Sequence, residues 1–145
     1  MQTLLNLFNI YIDTKRYAES EIILNEALGI IRRLAENNPE QYNKFYAIRL
    51  NDMSFVSIFM SKYAEAELYI RKALEIDNSE VLLYSNLATA LLFQGKYEQA
   101  EQIYRQYKEE LKDAFMSDFE AFEKANVIPK EYYEDVEKIK QILNE

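Results

Sequence analysis

Carboxylates and tyrosines are the side chains in this sequence that offer chemistry. Glu109-Glu110 and Glu134-Asp135 are adjacent acids, the raw material of general acid–base catalysis. Neighbours in a helix do not face each other, however, and both pairs fall on polar faces, so they read as solvated surface. The twelve tyrosines offer flat faces for stacking bases or sugars, but Tyr17, Tyr63, Tyr97 and Tyr104 recur at fixed places in the sequence and read as core, and Tyr42, Tyr46, Tyr132 and Tyr133 read as partly buried packing. Lys and Arg are scattered without a basic stripe, and Arg32-Arg33 and Arg71-Lys72 read as solvating the backs of helices rather than holding phosphate. There are no cysteines and no histidines. That excludes disulfides, thiolate nucleophiles, Cys/His zinc sites and imidazole chemistry. Carboxylate-only metal sites stay open, but the sequence points to no catalytic residue, no metal and no cofactor.

Charge narrows the partners. The net charge is −8, and residues 109–145 carry 11 acids against 5 bases. An acidic chain with an acidic C-terminal third repels a phosphate backbone, so neither nucleic acid nor an anionic membrane is expected as a partner. No apolar run is long enough to span a bilayer, and no signal-peptide pattern is visible at the start. A cytoplasmic location is the working expectation, although the lack of Cys does not fix the compartment. At 145 residues the chain can bury one real core, and 2 Gly and 2 Pro at 49% hydrophobic content favour an all-helical fold.

The elements that position these side chains recur. Gly95-Lys96-Tyr97-Glu98-Gln99-Ala100-Glu101 repeats Ser61-Lys62-Tyr63-Ala64-Glu65-Ala66-Glu67, and Lys15-Arg16-Tyr17-Ala18-Glu19-Ser20-Glu21 is a third copy. Apolar spacing predicts helices over 2–13, from Tyr17 to about Leu34, and over 40–60, 63–76, 79–94 and 97–112. Asn38 suits an N-cap with Pro39 at the first helical position, Asp77-Asn78-Ser79 offers caps for the helix after it, and Gly95 suits a left-handed helix end. Phe115, Phe119 and Phe122 form a helical stripe over 115–125. A last helix starts at Pro129, with Tyr132, Val136, Ile139 and Leu143 along one face.

The interval from Tyr63 to Tyr97, matched by Ala66 to Ala100, is the period of the tetratricopeptide repeat, a helix–turn–helix unit that this pattern resembles. One copy supplies Tyr84, Leu87, Ala88, Leu91, Gly95, Tyr97, Ala100 and Tyr104, with bulky Tyr107 at the last small position. The copy before it supplies Leu50, Met53, Ser54, Ser57, Ser61, Tyr63, Ala66, Ile70 and Ala73. The first supplies Leu4, Leu7, Phe8, Tyr11, Lys15, Tyr17, Ser20, Leu24 and Ala27, with Phe8 large where a small residue is usual. Tyr17 and Tyr63 stand further apart than one unit, by about three turns at ~3.6 residues each. The surplus is expected to lengthen the helices between them.

The resemblance implies an all-α, right-handed superhelix of three helix-turn-helix repeats, at about 1–38, 39–78 and 79–112, with two extra acidic capping helices over 113–145. It implies a non-catalytic protein-interaction scaffold. The first helix of each repeat would line a concave groove carrying Asn9, Asp13, Asn51, Phe55, Phe59, Ser85, Thr89 and Phe93, flanked by Leu5, Ile12, Ile48, Ile58, Leu82 and Leu92. The competing reading of Phe59 and Phe93 is packing between helices. Some relatives grip a C-terminal carboxylate with Lys, Arg and Asn; only Asn9 fits that scheme here, and Leu5, Asp52, Leu82 and Asn86 hold the other positions. The expected partner is an unidentified protein offering an apolar peptide or an amphipathic helix. The alternative is a self-association module within a longer chain, because residues 4–12 lack the polar face of a terminal repeat and would pair with another copy or with neighbouring repeats.

Overall fold

The computed structural model describes residues 16–145. The helix expected over 2–13, its turn, and the groove residues Asn9 and Asp13 lie outside them. Seven α-helices make up the described chain: α1 (Tyr17–Asn37), α2 (Pro39–Phe59), α3 (Tyr63–Ile76), α4 (Leu83–Leu92), α5 (Tyr97–Gln106), α6 (Lys108–Lys124) and α7 (Tyr133–Leu143), the last entered through a 3-10 turn at Lys130–Tyr132. No described residue is in a strand, and no helix among them is long and apolar enough to cross a membrane.

Each helix packs on its neighbours in sequence, and the inner helices also stack on one another, α4 on α2 and α6 on α4. The outer helices bury one stripe only. In α1 that stripe is Ser20, Leu24, Ala27, Ile31 and Ala35, spaced 4, 3, 4 and 4, the interval that keeps residues on one face of a helix. In α3 it is Ala66, Ile70 and Ala73. The inner helix α4 has neighbours all round, and every residue in it except Tyr84 is buried. Small residues set the spacing between helices. Ala66 and Ala100 have no exposed surface, and Ser54 Oγ donates across from α2 to the Ala66 carbonyl at 2.8 Å.

The long interval between Tyr17 and Tyr63 is absorbed as expected. Helices α1 and α2 have 21 residues each, against 14 in α3 and 10 in each of α4 and α5. Asn38 caps α2, its Oδ1 accepting from the Gln41 N–H at 3.3 Å, with Pro39 at the first position. Two expectations need correction. The helix expected from 79 begins at Leu83, because Asp77 spends its cap on the loop, accepting from the Ser79 N–H and hydroxyl at 2.8 and 2.6 Å. The helix expected over 97–112 divides at Tyr107. Its ring stacks on Tyr84 with centroids 4.5 Å apart, and its backbone leaves helical geometry at ψ 14°. The next helix therefore starts at Lys108, and the boundary expected at 112/113 falls inside α6.

Three turns share one hydrogen-bond pattern. Ser61, Gly95 and Asn126 adopt positive φ of 60°, 79° and 57°. In each, that residue's N–H reaches back to the carbonyl of Ile58, Leu92 or Glu123, and the next N–H reaches further back, to Ser57, Leu91 or Phe122. This is a left-handed helix end closed by two backbone bonds. The third copy joins α6 and α7, the two extra C-terminal helices expected, into a hairpin. It stands outside the repeat pattern because Asn126 falls short of the register set by Ser61 and Gly95, and Val127-Ile128-Pro129 replaces the Lys-Tyr after the other two turns. The hairpin is anchored to the repeats. The Tyr63 hydroxyl donates to the Val127 carbonyl, Tyr132 packs against Gly95, and Val136, Ile139 and Leu143 are buried.

Candidate functional site

Helices α2, α4 and α6 stack together, and their facing side chains divide into two zones. The first is aromatic. The Phe122 ring of α6 lies 5.0 Å from Phe59, 5.8 Å from Phe55 and 5.8 Å from Phe93. Tyr17 stacks on Phe59 at 4.9 Å, and Tyr63 meets Phe93 edge-on. The stripe Phe115, Phe119 and Phe122 that was legible in the sequence is the covering face of α6, each residue at most 1% exposed.

The second zone is polar and open. Asn51, Asp52, Phe55, Leu82, Ser85, Asn86 and Asp118 line a hollow of about 220 Å³. The Asn86 side-chain amide donates to the Asn51 side-chain oxygen at 2.8 Å and to the Asn51 carbonyl at 3.2 Å, tying α4 to α2. Ser85 Oγ donates to the Asp118 carboxylate at 2.5 Å, tying α4 to α6. Burial pushes the Asp52 carboxyl up to about 6, although Arg49 on the same helix, 3.3 Å away, pulls the other way. Burial also raises Asp118, and the Ser85 hydroxyl offsets part of that.

The sequence-expected groove residues are split by these zones. Asn51, Phe55 and Ser85 come together at the hollow. Thr89, expected on an open floor, is instead 1% exposed, and Phe59 and Phe93, at 8% and 2%, follow the competing reading of packing between helices. Phe122 covers the two phenylalanines, and Thr89 turns its hydroxyl onto the Ser85 carbonyl of its own helix at 3.1 Å. The flanking Ile58 and Leu92 are also in the core, whereas Leu82 is 46% exposed at the rim. Sequence reasoning passed over Asp52, Asn86 and Asp118 as site residues. Asp118 did leave a signal, since it is an acid inside the stripe of Phe115, Phe119 and Phe122, where an apolar residue would serve a purely structural helix.

Chemically, the hollow presents hydrogen-bond acceptors. It carries two carboxylates whose burial is only partly compensated, and no Lys or Arg is among its described lining residues. A carboxyl titrating near 6 suits proton transfer, but the only hydroxyl in that lining, that of Ser85, is engaged by Asp118. Among the described residues no group of three or more acids is placed to hold a metal ion. Residues 60–117, from the α2–α3 turn into the middle of α6, match the family model of the tetratricopeptide repeat. No match is found among curated proteins.

Proposed function

We propose that this tetratricopeptide repeat protein is a non-catalytic scaffold that holds a segment of a partner protein between α2, α4 and α6. Repeats of this family generally mediate protein–protein interaction. The observation that carries the finer reading is the convergence of Asn51, Phe55 and Ser85 with Asp52, Asn86 and Asp118 on one hollow, with exposed Leu82 at its edge. An apolar rim beside underpaired acceptors suits a peptide or helix that presents donor groups next to an apolar anchor. The buried aromatic zone next to it gives the inner helices a fixed separation, so the hollow is preorganised and little ordering opposes binding.

The experiment is a pull-down with the full chain, followed by titration of the recovered partner against Leu82→Ser and Asp118→Asn. Leu82 is exposed and Asp118→Asn keeps the side chain's shape, so circular dichroism should match the parent. The expected result is a loss of affinity of about tenfold or more in each variant. Undiminished affinity in both would place the recognition surface elsewhere.

A further inference from the structure

Inner helices in this fold are seated on the pair before them: α4 on α2 and α3, and α6 on α4 and α5. The α6–α7 pair offers an outward face of the same kind. Two adjoining hollows of about 260 and 440 Å³ open along it, sharing Glu123 as a wall. Phe122 and Val136 form an apolar floor in the first, Met116 adds apolar surface in the second, and Tyr133 stands 49% exposed at the edge. The rim is acidic. Asp113, Glu120, Glu123 and Glu137 line the two hollows, and Lys140 is the single base in that lining, shared between Glu123 and Glu137.

Position by position the face differs from the one that receives α6. Counting from the positive-φ residue of each turn, Thr89 of α4 and Phe93 at its C-terminal cap correspond to Glu120 and Lys124 of α6. An apolar inner helix of the kind that α4 receives would bury the Glu120–Lys124 ion pair, 3.4 Å across, and strip it of water, a costly arrangement. A second copy of this chain, at net −8, would be repelled by the same rim. Charge and shape together select a helix that is apolar along one stripe and cationic beside it.

We propose that the outer face of the α6–α7 hairpin docks a basic amphipathic helix of another protein. One apolar side chain enters beside Tyr133 and Val136, and Lys or Arg residues on either side meet Glu120, Glu123 and Glu137. This surface is separate from the hollow between α2, α4 and α6, so the chain can hold two segments at once.

The probe is a synthetic Leu/Lys amphipathic helix with a fluorescent label, titrated into the full chain by anisotropy, with a Leu/Glu helix of the same length as control. Binding is expected for the Leu/Lys probe alone, and it should weaken as salt is added. Tyr133→Ser and the charge reversal Glu120→Lys/Glu137→Lys should each reduce affinity about tenfold or more, with circular dichroism unchanged, and amide shifts should centre on 116–137. Equal binding of the control helix, full affinity in both variants, or shifts centred on Asn51 and Ser85 would each overturn the proposal. So would a sedimentation mass of two chains that falls to one in Tyr133→Ser, because that result assigns the face to self-association.

Discussion

Asp52 should make the protein less stable as pH rises, and Asp52→Asn isolates the effect. Its carboxyl titrates at about 6 in the folded chain, against an ordinary value of 3.8. Below 3.8 both states hold the proton and the group contributes nothing that depends on pH. Between 3.8 and about 6 the unfolded state releases the proton while the folded state keeps it, so stability falls as pH rises, and above that window the loss is complete. A difference of about two pKa units at about 1.36 kcal/mol each is about 3 kcal/mol, which solvent at the partly exposed side chain trims to roughly 2 kcal/mol. The assay is urea unfolding of the parent and Asp52→Asn at pH 4, 5, 6 and 7. Relative to the variant, the parent should lose about 2 kcal/mol across that range. Arg49 loses its partner in the variant, which shifts the whole curve without changing its slope, because Arg does not titrate there. A difference that is flat with pH, or that grows in the parent's favour, would refute the assignment of Asp52 as a buried, undercompensated acid.

Two further predictions concern packing. At Gly95 a Cβ would lie 2.7 Å from the Tyr132 hydroxyl oxygen on a backbone at φ +79°, so Gly95→Ala should cost about 2–3 kcal/mol, of which the left-handed backbone supplies about 1–2 kcal/mol. Adding Tyr132→Ala should recover the steric part, and a double-mutant cycle with no coupling would sink the idea that the α7 entry rests on this turn. Tyr104 is 1% exposed, and its hydroxyl has no well-formed hydrogen bond among the described residues. Removing it in Tyr104→Phe should leave the midpoint of thermal unfolding unchanged or raise it, by up to ~1 kcal/mol in stability, and a clear loss would mean that Thr89 or Asp118 satisfies it.

The repeats were legible because their spacing and small residues are local signals. Gly95, Ala66, Ala100 and the Asn38–Pro39 start each specify a backbone geometry or a close approach that the sequence displays directly. The pairing of α6 with α7 as a hairpin was not legible, because Asn126 moves the turn out of register and Tyr107 removes the loop that should precede it. The groove was half legible. Position within a repeat identifies Asn51, Phe55 and Ser85 as inward-facing, but whether an inward residue meets solvent depends on the next helices in the stack. Phe122 settles that for Phe59 and Phe93, and it comes from a helix that the repeat register does not contain. The raised acids were invisible for the same reason, since burial of Asp52 and Asp118 arises only when three helices converge.

Phe122 has one more consequence. In an ideal stack each hairpin touches only the next, and the array can unravel from its end a unit at a time. Here the α6–α7 hairpin reaches past the α4–α5 pair and packs on Phe55 and Phe59 of α2. Pulling α6 away strips surface from two hairpins together, so the intermediate with only the last unit melted loses its advantage. The chain should therefore unfold more nearly all-or-none than its modular plan supplies, and a single transition whose calorimetric and van't Hoff enthalpies agree is the expected signature.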